Sequence, residues 1–200
     1  MKLTTKILCG LVLLATLTSG IQTESRTLTP SGSAVGANDK SKAPDHGGKI
    51  DSKYDGFSRE TVVTLNKMRI TCDSVKGNFK DACVSFVAAL HCPGIQLDYV
   101  RYVHLQLIFQ TKDWDQRHPL NERQLSVVAD GDTLTLGQMK LVSQSVDTLM
   151  TEVLEIDMPY ATFTRMVRAE VVEMKVGKTE FELRPQNLAA LRDLNNRVKF

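Results

Sequence analysis

The chain has 200 residues, with 25 Lys plus Arg against 23 Asp plus Glu, for a formal net charge of +2. Lys2 and Lys6 account for that surplus, and the remainder is neutral with its signs interspersed. Such a chain has no electrostatic reason to seek nucleic acid or an anionic membrane, so neither is expected as a partner.

Lys2 and Lys6 form a basic n-region ahead of an apolar run from Ile7 to Leu17, and Thr18-Ser19-Gly20 supplies small residues for cleavage. About eleven apolar residues is signal-peptide length and too short to cross a bilayer comfortably. No second long apolar run follows, and Cys9 is badly placed for lipid attachment at the cleavage site. Residues 1–20 therefore read as a signal peptide, with an uncleaved anchor as the alternative. The mature chain is expected to lack a transmembrane segment and to be exported to the periplasm or the cell exterior. Residues 21–53 are rich in Ser, Gly, Thr, Lys, Asp and Pro, without an aromatic residue before position 54. Too little apolar surface is present there to offset the entropy of ordering, so the segment reads as a flexible spacer with His46 solvated.

One globular domain is expected over 54–200, long enough for a single core. Thr61 to Thr71 is mixed and β-branched, and Ala82 to Leu90 ("ACVSFVAAL") is a short apolar run; both read as strands. Tyr99 to Gln110 alternates, placing Val103, Leu105, Leu107 and Phe109 on one face and Tyr102, His104 and Gln106 on the other. "RQLSVVADGDTLTLG" reads as a hairpin with Asp130-Gly131 at its turn. Lys140 to Ser145 and Thr151 to Asp157 read as further strands. The period then changes: Tyr160, Phe163 and Val167 fall three and four apart behind Pro159, which is one face of a helix. Strands return at Glu170 to Val176 and Thr179 to Leu183, and a closing helix runs from Pro185 to about Arg197. Strands without regular βαβ alternation predict an α+β, mainly β domain: an antiparallel sheet or β-sandwich with two short covering helices near the C-terminus.

Cys72, Cys83 and Cys92 remain after the signal segment. Cys83 and Cys92 lie at the two ends of one predicted strand, roughly 30 Å apart at about 3.3 Å per residue, beyond disulfide reach. Cys72 ends the preceding strand and faces Cys83 across a hairpin, so Cys72–Cys83 is the expected disulfide, with three buried thiols as the alternative. No CxxC or His spacing supports a metal site.

"VGKT" at Val176 to Thr179 resembles a phosphate-binding loop, but the upstream glycine is missing and the next helix starts eight residues after Gly177. A two-residue turn with Gly first fits better, so no nucleotide and no cofactor is expected. The polar stretch "TKDWDQRHPLNER" holds Trp114, Arg117 and His118, residue types suited to a contact surface. Tyr102 and His104 complete the candidate binding set. A catalytic reading needs a nucleophile or carboxylate beside His104 or His118, and no motif names one. GxSxG, HExxH and GxGxxG are all absent.

Three stretches, "YDGFSRETVV", "DWDQRHPL…LSVVADGDTLTLG" and "VVEMKVGKTEFELRPQNLAALRDL", resemble a family of uncharacterised exported bacterial proteins with no established function. The similarity spans most of Tyr54 to Val198, whereas the cysteines and "ALHCPG" depart from its pattern. It implies a bacterial exported protein with a β-rich domain and no activity to carry over. The expected function is a non-enzymatic exported domain that binds an unknown protein or envelope component. The alternatives are a small secreted hydrolase using His104 or His118, and a structural envelope protein that associates by strand addition.

Overall fold

Alternation of apolar and polar residues organises most of the chain. The computed structural model describes residues 45–72, 83–112, 118–146 and 150–199. These all belong to one compact unit, Ser41–Phe200. In chain order they form strands β1 (Ile50–Asp55), β2 (Glu60–Thr71), β3 (Cys83–Pro93), β4 (Tyr102–Thr111), β5 (Gln124–Ala129), β6 (Asp132–Gln138), β7 (Lys140–Val146) and β8 (Met150–Met158). Helix α1 (Tyr160–Arg168), strands β9 (Val172–Val176) and β10 (Thr179–Glu182), and helix α2 (Pro185–Asn195) follow. A 3-10 turn, Leu120–Glu122, precedes β5.

Two antiparallel sheets result, one in the order β1-β2-β3-β4-β8-β7 and the other β10-β9-β5-β6. The domain is therefore α+β and mainly β, with sandwich-like sheets. The chain leaves the first sheet after β4 to build the β5–β6 hairpin, returns for β7 and β8, then adds β9 and β10 to the second. Helix α2 lies against β2, while α1 touches α2, β4 and β5. One core joins both sheets and both helices, with Phe86, Phe109 and Phe163 among its largest fully buried side chains. Burying each stabilises the fold by about 1.5–3 kcal/mol relative to exposure.

β4 shows the expected pattern: Val103, Leu105, Leu107 and Phe109 are buried, and Tyr102, His104 and Gln106 face outward. In β2 the inward phase changes partway along. Val63 and Leu65 point into the core, then Met68 and Ile70 do so, because a bulge between Leu65 and Met68 inserts one residue against β3. The extra residue keeps apolar side chains inside where strict alternation would have turned Met68 outward.

Helix α2 is anchored by polar groups as well as by Leu188, Leu191 and Leu194. Asn187 Oδ1 accepts from the Arg184 N–H at 3.0 Å, and Asn187 Nδ2 donates to the Arg69 carbonyl of β2 at 3.0 Å. Arg192 donates to the carbonyls of Val167 and Ala169 at 2.8 and 2.6 Å, satisfying the end of α1.

The two turns also follow from the residues. Asp130 (φ 50°) and Gly131 (φ 89°) both take positive φ between β5 and β6, and Asp130 Oδ1 accepts from the Glu170 and Val171 N–H groups at 2.9 Å. Gly177 (φ 56°) alone is positive at the β9–β10 turn, as expected for Gly in the first central position. A Cβ there would meet the Glu122 carbonyl oxygen at 2.3 Å, so the site demands glycine for space as well as for φ. The Cys72–Cys83 disulfide joins the end of β2 to the start of β3, and Cys92 is a buried free thiol.

The described strands begin before Tyr54. β1 pairs with β2 from Ile50, and the Asn66 N–H donates to the Lys49 carbonyl at 2.8 Å. His46, expected in solvent, has a side chain only 7% exposed and sits 3.3 Å from Asp193 of α2. The polar composition of this stretch concealed a strand stabilised by its ladder to β2.

Candidate functional site

Strands β3 and β4 place His91 directly opposite Tyr102 on the outer face of the six-stranded sheet, and His104 opposite Ala89. The His91 and Tyr102 rings stack with centroids 4.3 Å apart, and Tyr102 Oη lies 3.1 Å from His91 Nδ1. Glu60 of β2 is buried beside them, 3.4 Å from His91 Nδ1 and paired with Arg101. On the other side, β8 sets Asp157 opposite His104, with Nδ1 2.7 Å from Asp157 Oδ1 and Nε2 3.4 Å from Glu155 Oε2. Burial, then the nearby carboxylates of Glu60 and Asp157, pushes the Tyr102 phenol above its ordinary value. The Cys92 thiol is likewise pushed up, chiefly by burial, with Asp98 and Glu60 adding to it. Both groups stay protonated at neutral pH.

This polar cluster lies at the end of the sheet from which the β1–β2 turn and the β3–β4 connection emerge. Those two loops are tied together: the Gly94 N–H donates to the Arg59 carbonyl at 2.8 Å, and Thr61 Oγ1 donates to the Gly94 carbonyl at 2.6 Å. From them Phe57, Ile95 and Tyr99 project into solvent, Phe57 completely. Asp55 shapes the turn by accepting from the Phe57 N–H at 2.9 Å and from Ser58 Oγ at 3.0 Å, and these bonds hold its carboxyl below the usual range. The end of the sheet thus combines fixed loops, protruding apolar side chains and an arginine half-paired to a buried glutamate. Aromatic and Arg side chains on a rigid support are the composition of binding hot spots.

His118 belongs to a different environment from the one its polar neighbours in sequence suggested. It is 2% exposed, with Nδ1 2.6 Å from Glu152 Oε2, itself 1% exposed. Its Nε2 lies 3.1 Å from Thr179 Oγ1, and its ring packs against Phe109 with centroids 4.5 Å apart. Glu152 is on β8 of one sheet and Thr179 on β10 of the other, so His118 ties the sheets together. The expectation of His118 as a surface contact is therefore corrected.

Trp114 and Arg117 lie outside the described residues. Tyr102 and His104 do share one face, and the structure adds His91, Glu60, Arg101 and Asp157 to them. His91 lies in "ALHCPG", a stretch outside the family resemblance to which the sequence alone assigns no role. Among the described residues no group of His, Cys, Asp and Glu is arranged to hold a metal ion.

A groove of about 450 Å³ opens on the outer side of the four-stranded sheet, lined by Ser126, Val128, Glu173, Lys175, Glu182 and Arg184 among others. Lys175 pairs with Glu180 across β9 and β10 at 2.6 Å, while Glu173 and Glu182 face each other in register. Neither this groove nor the one beside Tyr54 and Phe57 is lined by a histidine.

Comparison with known protein families, curated proteins and solved structures found no match. The family resemblance rests on the quoted sequence stretches alone. No helix among the described residues is long and apolar enough to cross a membrane.

Proposed function

We propose that this chain is an exported, non-enzymatic binding domain that engages a protein or envelope component in the periplasm or outside the cell. One observation carries the reading: Phe57, Ile95 and Tyr99 protrude from two mutually hydrogen-bonded loops beside the His91–Tyr102–Arg101 cluster. Large exposed apolar side chains gathered at one end of a sheet suit a surface that a partner covers. The disulfide fits an oxidising compartment and so supports export. A hydrolase reading finds less support. His104 has a carboxylate at 2.7 Å, but it lines neither of the two grooves found among the described residues.

The test is site-specific photo-crosslinking of the full chain in its own cells, with the reactive group at position 57 or 99 and a control at the exposed Thr135 of β6. A discrete adduct with another molecule at 57 and 99 but not at 135 is expected, and Arg101→Ala should weaken it. Equal labelling at all three positions, or none at 57 and 99, overturns the assignment.

A further inference from the structure

β1 is an edge of the six-stranded sheet, and among the described residues its only strand partner is β2. Asp51, Ser52, Lys53 and Tyr54 are exposed. The bond from the Asn66 N–H to the Lys49 carbonyl sets the phase of the ladder. Antiparallel strands alternate between hydrogen-bonded and non-hydrogen-bonded positions, so Asp51 and Lys53 direct their backbone groups toward β2. Ile50, Ser52 and Tyr54 direct theirs to the open edge. Side chains alternate as well: Lys49, Asp51, Lys53 and Asp55 line one face, and Ile50, Ser52 and Tyr54 the other.

An open edge invites pairing, and natural sheets resist it with prolines, bulges or charged side chains, which oppose pairing unless the incoming strand complements them in sign. β1 has no proline and no bulge, and its charges alternate in sign. Consider a second copy brought up antiparallel with Ser52 opposite Ser52. Asp51 then faces Lys53 of the second copy, Lys49 faces Asp55, and Ile50 faces Tyr54, each pair occurring twice about the two-fold axis. The open backbone groups of Ile50, Ser52 and Tyr54 are satisfied by that same register. The charged pairs fall at non-hydrogen-bonded positions, where opposed side chains approach most closely.

Other registers do worse. Centring on Asp51 or Lys53 sets Asp against Asp or Lys against Lys. Centring on Ile50 or Tyr54 shortens the overlap, running into Gly48 or into the turn at Gly56. Asp51 already contacts Asn66 at 2.6 Å and Lys49 at 3.1 Å within its own chain, yet its side chain is 51% exposed and can be shared. The opposite edge, β7, reads "KLVSQSV" and has one charge and no such complementarity.

We propose that β1 is a self-association edge, through which two copies join their six-stranded sheets by antiparallel β1–β1 pairing about Ser52. The partner is a second copy of this chain, recognised by backbone hydrogen bonds and four reciprocal charge pairs. This goes beyond the binding reading and does not depend on it, because it uses the edge of β1 instead of the Phe57–Ile95–Tyr99 end.

Sedimentation equilibrium of the full chain at low and high salt tests it. A reversible monomer–dimer equilibrium that weakens with salt is expected. Asp51→Lys and Lys53→Asp alone should each raise the dimer Kd about tenfold or more, because two attractive cross-strand pairs become repulsive. The double swap, D51K/K53D, should restore it to within about threefold of the original. Lys53→Asp is the cleaner single change, since Asp51→Lys also removes the Asn66 contact, and a circular dichroism melt of each variant checks folding. Hydrogen exchange on the unaltered chain is the second measurement: the Ile50, Ser52 and Tyr54 amides should gain protection on concentration. A chain still monomeric at about 1 mM overturns the proposal, as does a dimer indifferent to the single charge changes or one not restored by the swap.

Discussion

Two histidine–carboxylate pairs of nearly equal length occupy opposite environments. His118 and Glu152 meet at 2.6 Å with side chains 2% and 1% exposed, while His104 and Asp157 meet at 2.7 Å with side chains 23% and 61% exposed. Geometry alone does not separate them; burial does. In the interior, Glu152 has given up its hydration and depends on His118, whereas Asp157 keeps water as an alternative partner. The first pair joins the two sheets through Thr179, and the second stands on the outer face of one sheet. A third pair, His46–Asp193 at 3.3 Å, lies between them in exposure.

Removing the buried partner should break this comparison most severely. Glu152→Ala should cost about 3–5 kcal/mol in chemical denaturation, because it leaves His118 without its carboxylate in an apolar setting and loosens the tie to Thr179. If Glu152→Ala behaves like a surface change, the clamp between the sheets is not what holds them. Gly177→Ala should come next, at about 2–3 kcal/mol. It forces a side chain into positive φ and against the Glu122 carbonyl, displacing the turn that positions Thr179. The same substitution at Gly131, where a Cβ meets nothing, should incur only the conformational penalty.

Asp193 sharpens the comparison through pH. Burial pushes its carboxyl up, but hydrogen bonds from Arg197 and His46 outweigh this and hold it below the ordinary value. A depressed folded pKa contributes stability that is complete above the unfolded carboxyl pKa, near pH 4, and is lost as pH falls through the lower folded value. Asp193→Asn should therefore cost about 1 kcal/mol at neutral pH and flatten the acid limb of the stability curve below about pH 4. A variant with an unchanged acid limb would show that the His46 contact is incidental. The smallest effect belongs to Asp157→Asn, no more than about 0.5 kcal/mol and diminished further by salt. A loss approaching that of Glu152→Ala would mean that something covers the outer sheet face in solution.

Much of the architecture was legible in the residues because it is written in local periodicity. The alternation of β4, the Asp130-Gly131 and Gly177-Lys178 turns, and the switch to helical spacing at Tyr160 each depend on neighbours within a few positions. So does the Cys72–Cys83 pairing, since a hairpin brings together residues on adjoining strands. β1 was obscured because "IDSKYD" offers only Ile50 and Tyr54 as apolar side chains, and it is held mainly by its ladder to β2 and by Ile50 against the core. The β2 bulge was hidden for a related reason: it is defined by two residues of β2 standing against one of β3.

The candidate site divides along the same line. Tyr102 and His104 share a face by alternation within one strand, so their proximity followed from sequence. His91, Glu60 and Asp157 join them through the registers of β2, β3 and β8, over separations of up to 97 positions from Glu60 to Asp157. His118 was misplaced because loop-like neighbours suggested solvent, while Glu152 and Thr179 lie 34 and 61 residues away. By itself the sequence determined the mainly β class, most strands and turns, both helices, the disulfide and the charge pattern of β1. Tertiary structure alone decided which histidine is buried, which apolar side chains protrude together and which edge is left open. Those properties depend on long-range strand pairing and desolvation, and neither is encoded in a local pattern of residues.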